Sequence, residues 1–403
     1  MEKELLRQIQ EPLIKWFDKN ARVLPWREHP LPYYVWVSEI MLQQTRVEAV
    51  KPYFARFTEA LPNVRALADC PEDQLLKLWE GLGYYNRVRN MQKAARQVVE
   101  QYDGCLPGRY EELLRLPGIG SYTAGAIASI ACGEAVPAVD GNVLRVLGRI
   151  TENDGDISKQ AVKKSVEEAL LAVMPQDRPG SFNQALMELG AMVCVPNGFP
   201  SCDLCPVGHL CRANLDGRQT EFPVKAPKKP RRIEERTVLV IRDSSRAALR
   251  RRPERGLLAG LYELPNWEGH LTQQEALDRA EESGFSPVRI QPLSAARHIF
   301  SHVEWDMIGY LIFVEDCGEP ETGQAKADCK ELCAEQEKPD CVELRAGQAK
   351  ANHRNRRAEQ VESGHPEENR ILCIEPERIR RDYPIPAAFA AYTKALFQIF
   401  EEG

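Results

Sequence analysis

The chain has 403 residues, 43% of them hydrophobic and 28% charged, with 12 cysteines and a formal net charge of −6. That length implies two or three domains with cores of their own, and no apolar run is long enough to span a bilayer. The opening MEKELLRQIQEPLIKWF is patterned as a charged amphipathic helix rather than a secretory signal. An intracellular location is therefore expected, with the cysteines serving as thiols or metal ligands rather than disulfides. Residues 315–370 carry 14 Asp/Glu against 9 Lys/Arg, a net of −5, so the remainder is nearly neutral. Near-neutrality neither supports nor excludes DNA binding, because local patches make the field.

From Pro25 to Val50 the text is PWREHPLPYYVWVSEIMLQQTRVEAV. Its prolines place Pro25–Pro32 in a loop, and a helix follows with Val35, Ile40, Met41 and Val47 on its apolar side. Glu39 lies between hydrophobic residues, where desolvation raises a carboxyl pKa and suits it to give a proton. A surface glutamate at a helix start explains the same residue, and taken alone that reading is the better one. Residues 78–89, LWEGLGYYNRVR, gather two glycines, two tyrosines and two arginines in a turn. Such a turn suits insertion into a base stack with phosphates alongside; by composition alone, an aromatic helix corner is favoured.

The stretch Leu116–Arg149, LPGIGSYTAGAIASIACGEAVPAVDGNVLRVLGR, organises the chain. A Pro-Gly-Ile-Gly turn separates two helical patterns, and Gly118 and Gly120 allow positive φ, so their backbone can approach another backbone or a phosphate closely. A helix beginning at Ser121 aims unpaired N–H groups at the turn, a geometry that suits a DNA phosphate. Twenty residues on stands a single aspartate, Asp140, followed by Gly141 and Asn142. Residues 156–193 are patterned as helices ending in FNQALMELG. Then come Cys194, Cys202, Cys205 and Cys211 in a loop kept irregular by Pro196, Pro200, Pro206 and Gly198. Four thiolates so spaced suit structural zinc or a [4Fe–4S] cluster, and spacing does not choose between them.

Residues 216–236 include FPVKAPKKPRRIEER, rich in proline and positive charge, and are expected as a linker. From Thr237 the period changes: TVLVIR, AALRRR, LYELP and MIGYLIFV have β-like spacing, and LTQQEALDRAEESGF is helical. Phe300, Ser301 and His302 fall in a loop before Trp305. Residues 315–370 are charged and poor in aromatics, which favours a disordered or loosely helical insertion; the irregular spacing of Cys317, Cys329, Cys333 and Cys341 favours free thiols.

The LPGIG turn with Val139-Asp140-Gly141-Asn142 resembles the helix-hairpin-helix DNA glycosylases. SEIMLQQT and WEGLGYY resemble the corresponding segments of MutY-type adenine DNA glycosylases, which reverses the bland readings of Glu39 and of the aromatic turn. The cysteine loop is similar to that of endonuclease-III-like enzymes, although its first gap is one residue longer than their six. The region after Thr237 resembles the Nudix-like domain of MutY enzymes, with Ala280–Gly284 only a remnant of the metal-binding Nudix helix, so pyrophosphate hydrolysis is not expected. Apart from the insertion, the resemblance covers nearly the whole chain.

The resemblance implies a multidomain fold. An all-α helix-hairpin-helix glycosylase region over residues 1–215, with a six-helix barrel module and a [4Fe–4S] loop, precedes an α+β Nudix-like 8-oxoguanine-recognition domain over 237–403. The implied partner is double-stranded DNA carrying adenine opposite 8-oxoguanine or guanine, bound by a monomer in the cytoplasm with no membrane contact. Glu39 would protonate adenine N7, Asp140 would stabilise or capture the oxocarbenium ion, and Asn142 would orient Asp140 or water. Tyr122 occupies the place where bifunctional relatives carry a Schiff-base lysine, so strand cleavage should be weak or absent. Trp26, Arg27 and Gln184 would line the adenine pocket. Gln44, Thr45, Leu82 and Tyr84 would contact or wedge the DNA, with Gly118 and Gly120 at its backbone and Phe300, Ser301 and His302 at 8-oxoguanine. Cys194, Cys202, Cys205 and Cys211 would hold the [4Fe–4S] cluster. A pyrimidine-damage glycosylase is disfavoured by Tyr122 and the Nudix-like pattern, and a non-catalytic damage sensor by the intact Glu39 and Asp140. An iron–sulfur electron carrier would have no use for the hairpin.

Overall fold

Apolar residues at helical spacing fold the first part of the chain and alternating ones the second, and the computed structural model divides accordingly into Met1–Lys229 and Pro230–Gly403. It describes residues 3–227, 230–318 and 371–402. Most of the expected insertion, with Cys329, Cys333 and Cys341, lies outside the described residues. Among the described residues no helix is long and apolar enough to cross a membrane. Among the described residues Cys132, Cys194, Cys202, Cys205, Cys211, Cys317 and Cys373 are free thiols, whereas Cys105 is disulfide-bonded, a departure from the expected cysteine chemistry.

The first unit is helical. Its core joins Leu6, Ile9 and Leu13 near the amino terminus to Val143, Val146 and Leu147 of the Gly141–Thr151 helix. Phe182, Leu186 and Leu189 of the Pro179–Met192 helix complete it. Each such side chain, buried fully, contributes roughly 1.5–3 kcal/mol. The Pro32–Leu42 helix is apolar almost all round, which buries it and carries Glu39 inward. It stops earlier than expected: Gln44 adopts a left-handed φ of 62°, and Val47 opens the next helix, Val47–Ala60. Pro25–Glu28, expected as loop, makes one helical turn, with Pro25 at its first position.

Gly118 takes a positive φ (76°), and a Cβ there would lie 2.6 Å from that of Asn90. Gly120 does not. Its φ of −94° and ψ of −179° are extended backbone open to any residue, because it serves as the N-cap of the Ser121–Ala126 helix. Beyond Ala126 the helix widens into a π segment, Ile127–Ala131.

Among the described residues, the second unit is a seven-stranded sheet in the order β3-β2-β1-β6-β5, with β4 on β1 and β7 on β2. The strands are β1 Arg232–Arg242, β2 Ala247–Arg251, β3 Tyr262–Glu263, β4 Asn266–Glu268, β5 Pro287–Ile299, β6 Val303–Val314 and β7 Ile371–Ile374. The central pair β1 and β6 is parallel and the other pairs are antiparallel. Alternation along β1 sends Val238 and Val240 to a core shared with Tyr392 and Leu396, and Leu239 and Ile241 to one shared with Ala276 and Ala280. Helices thus cover both faces. β1 starts at Arg232, inside the expected linker, because Arg232–Arg236 pair with Val303–Met307; Gln219 and Phe222 of the same stretch are buried.

Candidate active site

A groove of about 1370 Å³ in the helical unit brings together Trp26, Arg27, Glu39, Gln44, Thr45, Tyr122, Asp140, Asn142 and Gln184. These residues are far apart in the chain: the helices Pro32–Leu42, Ser121–Ala126, Gly141–Thr151 and Pro179–Met192 supply Glu39, Tyr122, Asn142 and Gln184, Asp140 caps the third, and the Pro25–Glu28 turn supplies Trp26 and Arg27. Leu82, Tyr84, Gly118 and Gly120 do not line it.

Glu39 is 6% exposed. The Tyr122 hydroxyl donates to its Oε2, while Met187 Sδ lies 3.9 Å from the same hydroxyl. Burial pushes the Glu39 carboxyl up to about 7, and the nearby Asp140 adds to this against the lowering effects of Tyr122 and Arg27. Burial and the two carboxyls raise the Tyr122 phenol far above its ordinary range, so it remains a donor.

Asp140 caps the Gly141–Thr151 helix. Its Oδ1 accepts from the Val143 backbone N–H at 2.8 Å and its Oδ2 from Asn142 Nδ2 at 2.6 Å. Burial raises its pKa, and these donors and the Arg145 charge oppose the rise. Arg145 Nη2 donates to Asn142 Oδ1 and to the Gly190 carbonyl, both at 2.8 Å, and Nε donates to the Cys194 carbonyl at 2.8 Å. One guanidinium therefore connects the partner of Asp140 to the first cysteine of the loop. The segment leading to Asp140 is held by the buried Asn183, which donates to the Val136 carbonyl (2.9 Å) and Ser129 Oγ (2.8 Å) and accepts from the Ala138 N–H (3.1 Å).

Two residues absent from the sequence expectations complete one wall. Glu188 is 1% exposed and accepts from Arg22 Nε (2.7 Å), Arg22 Nη2 (2.9 Å) and Arg27 Nη2 (2.9 Å). Burial would raise its carboxyl, but these hydrogen bonds outweigh it and hold the pKa at about 2. Glu188 lies within FNQALMELG; its position three residues after Ala185 and six after Phe182, on a buried face, was the available signal. Trp26 is buried against Phe54, with ring centroids 5.4 Å apart.

Gln44 and Tyr84 are exposed and both left-handed, at φ 62° and 48°. Arg87 ties their turns together. It donates to the carbonyls of Ile40 (2.7 Å) and Met41 (3.3 Å) on one side and of Leu82 (3.0 Å) and Gly83 (3.1 Å) on the other. Leu82, expected at the DNA, is instead 7% exposed, because the turn directs it inward and Tyr84 outward.

Cys194, Cys202, Cys205 and Cys211 line a single small cavity with Arg149, whose Nη1 donates to Cys194 Sγ at 3.2 Å. A Cβ on Gly208 would come within 2.9 Å of the Cys202 carbonyl, so the loop closes only without a side chain there. Among the described residues, no three His, Cys, Asp or Glu side chains converge as one metal ion would require.

In the sheet unit, residues 300–302 form the tight connection between β5 and β6. The Phe300 ring packs edge-on against His298 (4.6 Å) and Trp305 (4.9 Å), and Ser301 and His302 are exposed at the tip.

A profile described as "HhH-GPD superfamily base excision DNA repair protein" matches residues 37–171, and a NUDIX domain profile matches 237–395. The chain is 37% identical over 352 residues to the adenine DNA glycosylase of Mus musculus, covering 72% of this chain and 68% of that protein. Identity to the Homo sapiens adenine DNA glycosylase is 36%, covering 72% of this chain and 64% of the human one. For the enzyme of Buchnera aphidicola subsp. Acyrthosiphon pisum it is 34%, covering 72% and 82%. A solved endonuclease III–DNA complex aligns at a TM-score of 0.46 and 26% identity, over 54% of this chain and 98% of that one. With a helical base-excision repair region followed by a Nudix-like domain of mixed sheet, the chain belongs to the adenine DNA glycosylase family.

Proposed function

We propose that this DNA glycosylase excises adenine mispaired with 8-oxoguanine or guanine, by hydrolysis and without strand cleavage. The observation that carries the reading is the pairing of Glu39 and Asp140 in one groove, the first held protonated near pH 7 by burial and the second cradled by donors. Flipping a base out of the duplex costs roughly a few kcal/mol, and the exposed left-handed tips at Gln44 and Tyr84 suit filling the gap. Adenine then stacks near Trp26, with Arg27 and Gln184 at its edge. Glu39 gives its proton to N7 as the glycosidic bond lengthens, which makes the base a better leaving group. Negative charge on Asp140 opposes the growing oxocarbenium charge, and Asn142, fixed by Arg145, keeps that carboxylate in place. Tyr122 steers the Glu39 proton and has no amine with which to open the sugar.

The four-cysteine cavity fits a [4Fe–4S] cluster. A cubane spreads its ligands over separate irons, so the sulfurs need a common cavity rather than convergence on one point. When bound, the cluster supplies a rigid scaffold for residues 194–211. Cys194, Cys202, Cys205 and Cys211 would hold it, with the Arg149 cation beside Cys194. Iron and sulfide analysis tests the assignment; stoichiometric zinc without iron would overturn it.

Ser301 and His302, exposed at the β5–β6 tip, are the groups we assign to reading the opposite base. The test of the whole reading is a single-turnover comparison of adenine release from duplexes with adenine opposite 8-oxoguanine, guanine and thymine. Adenine release should occur with the first two and leave an unbroken abasic strand. Equal release opposite thymine, or strand cleavage at the rate of base loss, would refute it.

A further inference from the structure

Cys317 and Cys373 take part in nothing described above. Cys317 follows β6, Cys373 lies within β7, and 55 residues separate them in the sequence. Both are buried in the same small core, beside Leu239, Ile241, Phe285 and Ile312. Their thiols are hydrogen-bonded to each other. The backbones that carry them are fixed separately. Cys317 N–H donates to Asp243 Oδ2 at 3.1 Å and Cys317 Sγ lies 3.8 Å from the Arg246 carbonyl oxygen, while Cys373 pairs with Ala248 on β2.

The two sulfurs are not equivalent. The hydrogen bond to Cys373, together with burial, keeps the proton on Cys317. The same bond, with the Arg246 cation nearby, lowers the Cys373 pKa and makes it the better thiolate. Arg246 is itself paired with Asp243 at 3.0 Å and Asp316 at 2.5 Å. Nor are the sulfurs sealed off, because both line a cavity of about 470 Å³ together with Arg250, Trp267 and Glu282. A small neutral oxidant fits that space.

We propose that Cys317 and Cys373 are a peroxide-oxidisable dithiol, a modification site that joins β7 covalently to the exit of β6. The Cys373 thiolate attacks one oxygen of a hydroperoxide; the O–O bond breaks, a sulfenic acid forms, and the other oxygen leaves with a proton as water or alcohol. Cys317 then attacks the sulfenic sulfur. The S–S bond forms as the S–O bond breaks, and the Cys317 proton departs with the second oxygen as water. Two thiols are oxidised by two electrons and the peroxide is reduced by the same two. Sulfurs that share one core and line one cavity can approach each other to the S–S length of about 2 Å.

The test uses the full chain treated with hydrogen peroxide, blocked with an alkylating agent, digested and mapped by mass spectrometry. The expected result is a cross-linked peptide carrying Cys317 and Cys373, lighter than the reduced pair by two hydrogens and released by dithiothreitol. With Cys317→Ser, dimedone should label Cys373; with Cys373→Ser, Cys317 should stay unlabelled. Both cysteines remaining alkylatable at peroxide doses that oxidise glutathione would overturn the proposal. A bridge from either one to Cys329, Cys333 or Cys341 would also overturn it. The wild-type map decides the matter even if a variant fails to fold.

Discussion

Glu39 and Asp140 carry the same functional group into the same groove, and their surroundings set them to different tasks. Glu39 sits mid-helix among apolar side chains with a single phenolic donor, so burial dominates and the acid stays protonated near neutrality. Asp140 sits at a helix N-terminus, where a backbone N–H, an amide and the positive end of the helix favour the carboxylate. The number and kind of donors, more than depth of burial, separates a carboxyl kept protonated near neutrality from one whose charged form is favoured.

The sharpest way to break this contrast is Asp140→Asn, which keeps the shape and removes the charge. Single-turnover adenine release should fall by about 10³-fold or more while mismatch binding persists, and near-wild-type rates would remove Asp140 from its role. Glu39→Gln should slow release by roughly 10²–10⁴-fold, because an amide supplies no proton.

The same residue gives a pH test. With its pKa at about 7, the Glu39 acid is progressively lost as pH rises, so above that value the wild-type rate should drop about tenfold per unit. Stability moves with it. A carboxyl raised from 4.5 in the unfolded chain to about 7 when folded favours folding fully only below pH 4.5, and that contribution is lost as pH rises to about 7. Glu39→Gln should therefore gain up to roughly 3 kcal/mol over wild type at pH 8 but little at pH 4, as chemical denaturation will show. Equal gains at both pH values would mean that Glu39 is not buried as an acid.

Glu188→Gln extends the comparison to a third carboxylate, one held ionised by two arginines. Leaving Arg22 and Arg27 without their charge partner should cost roughly 3 kcal/mol of stability by denaturant titration and weaken adenine placement. The smallest effect belongs to the sheet unit. Replacing Ser301 and His302 with alanine should reduce preference for 8-oxoguanine over guanine about tenfold, read from paired single-turnover rates, and leave the chemistry intact.

Asp140 was legible through its spacing after the LPGIG turn and the resemblance that spacing carries, whereas its capping of the Gly141–Thr151 helix went unread. Glu39 was legible only through resemblance: within VSEIML nothing local separates a buried acid from a surface one. Glu188 and Arg22 went unread because their pairing spans 166 residues and leaves no local trace. The inward turn of Leu82 was hidden for a similar reason, since left-handed backbone at Tyr84 reverses which neighbour faces solvent. In the sheet unit, β1, β2 and β6 alternate or are continuously apolar and were legible. β5 was missed because much of its length is exposed and it carries Pro287 and Pro292, so it shows no period of two.

The parallel pairing of β1 with β6 has a consequence for how the protein is made. Arg232 meets Val303 and Arg242 meets Phe313, so the centre of the sheet joins segments about seventy residues apart. On the ribosome, the helical unit has its last residue, Lys229, before β1 has been translated, and its contacts can form at once. β1 then waits through the synthesis of β2 to β5 with its apolar face unpaired, an interval of several seconds at roughly 5–20 residues per second. The groove that holds Glu39 and Asp140 should accordingly mature ahead of the sheet, and a nascent chain stalled shortly after β5 should already bury Glu39 while Val238 and Val240 remain open to chaperones.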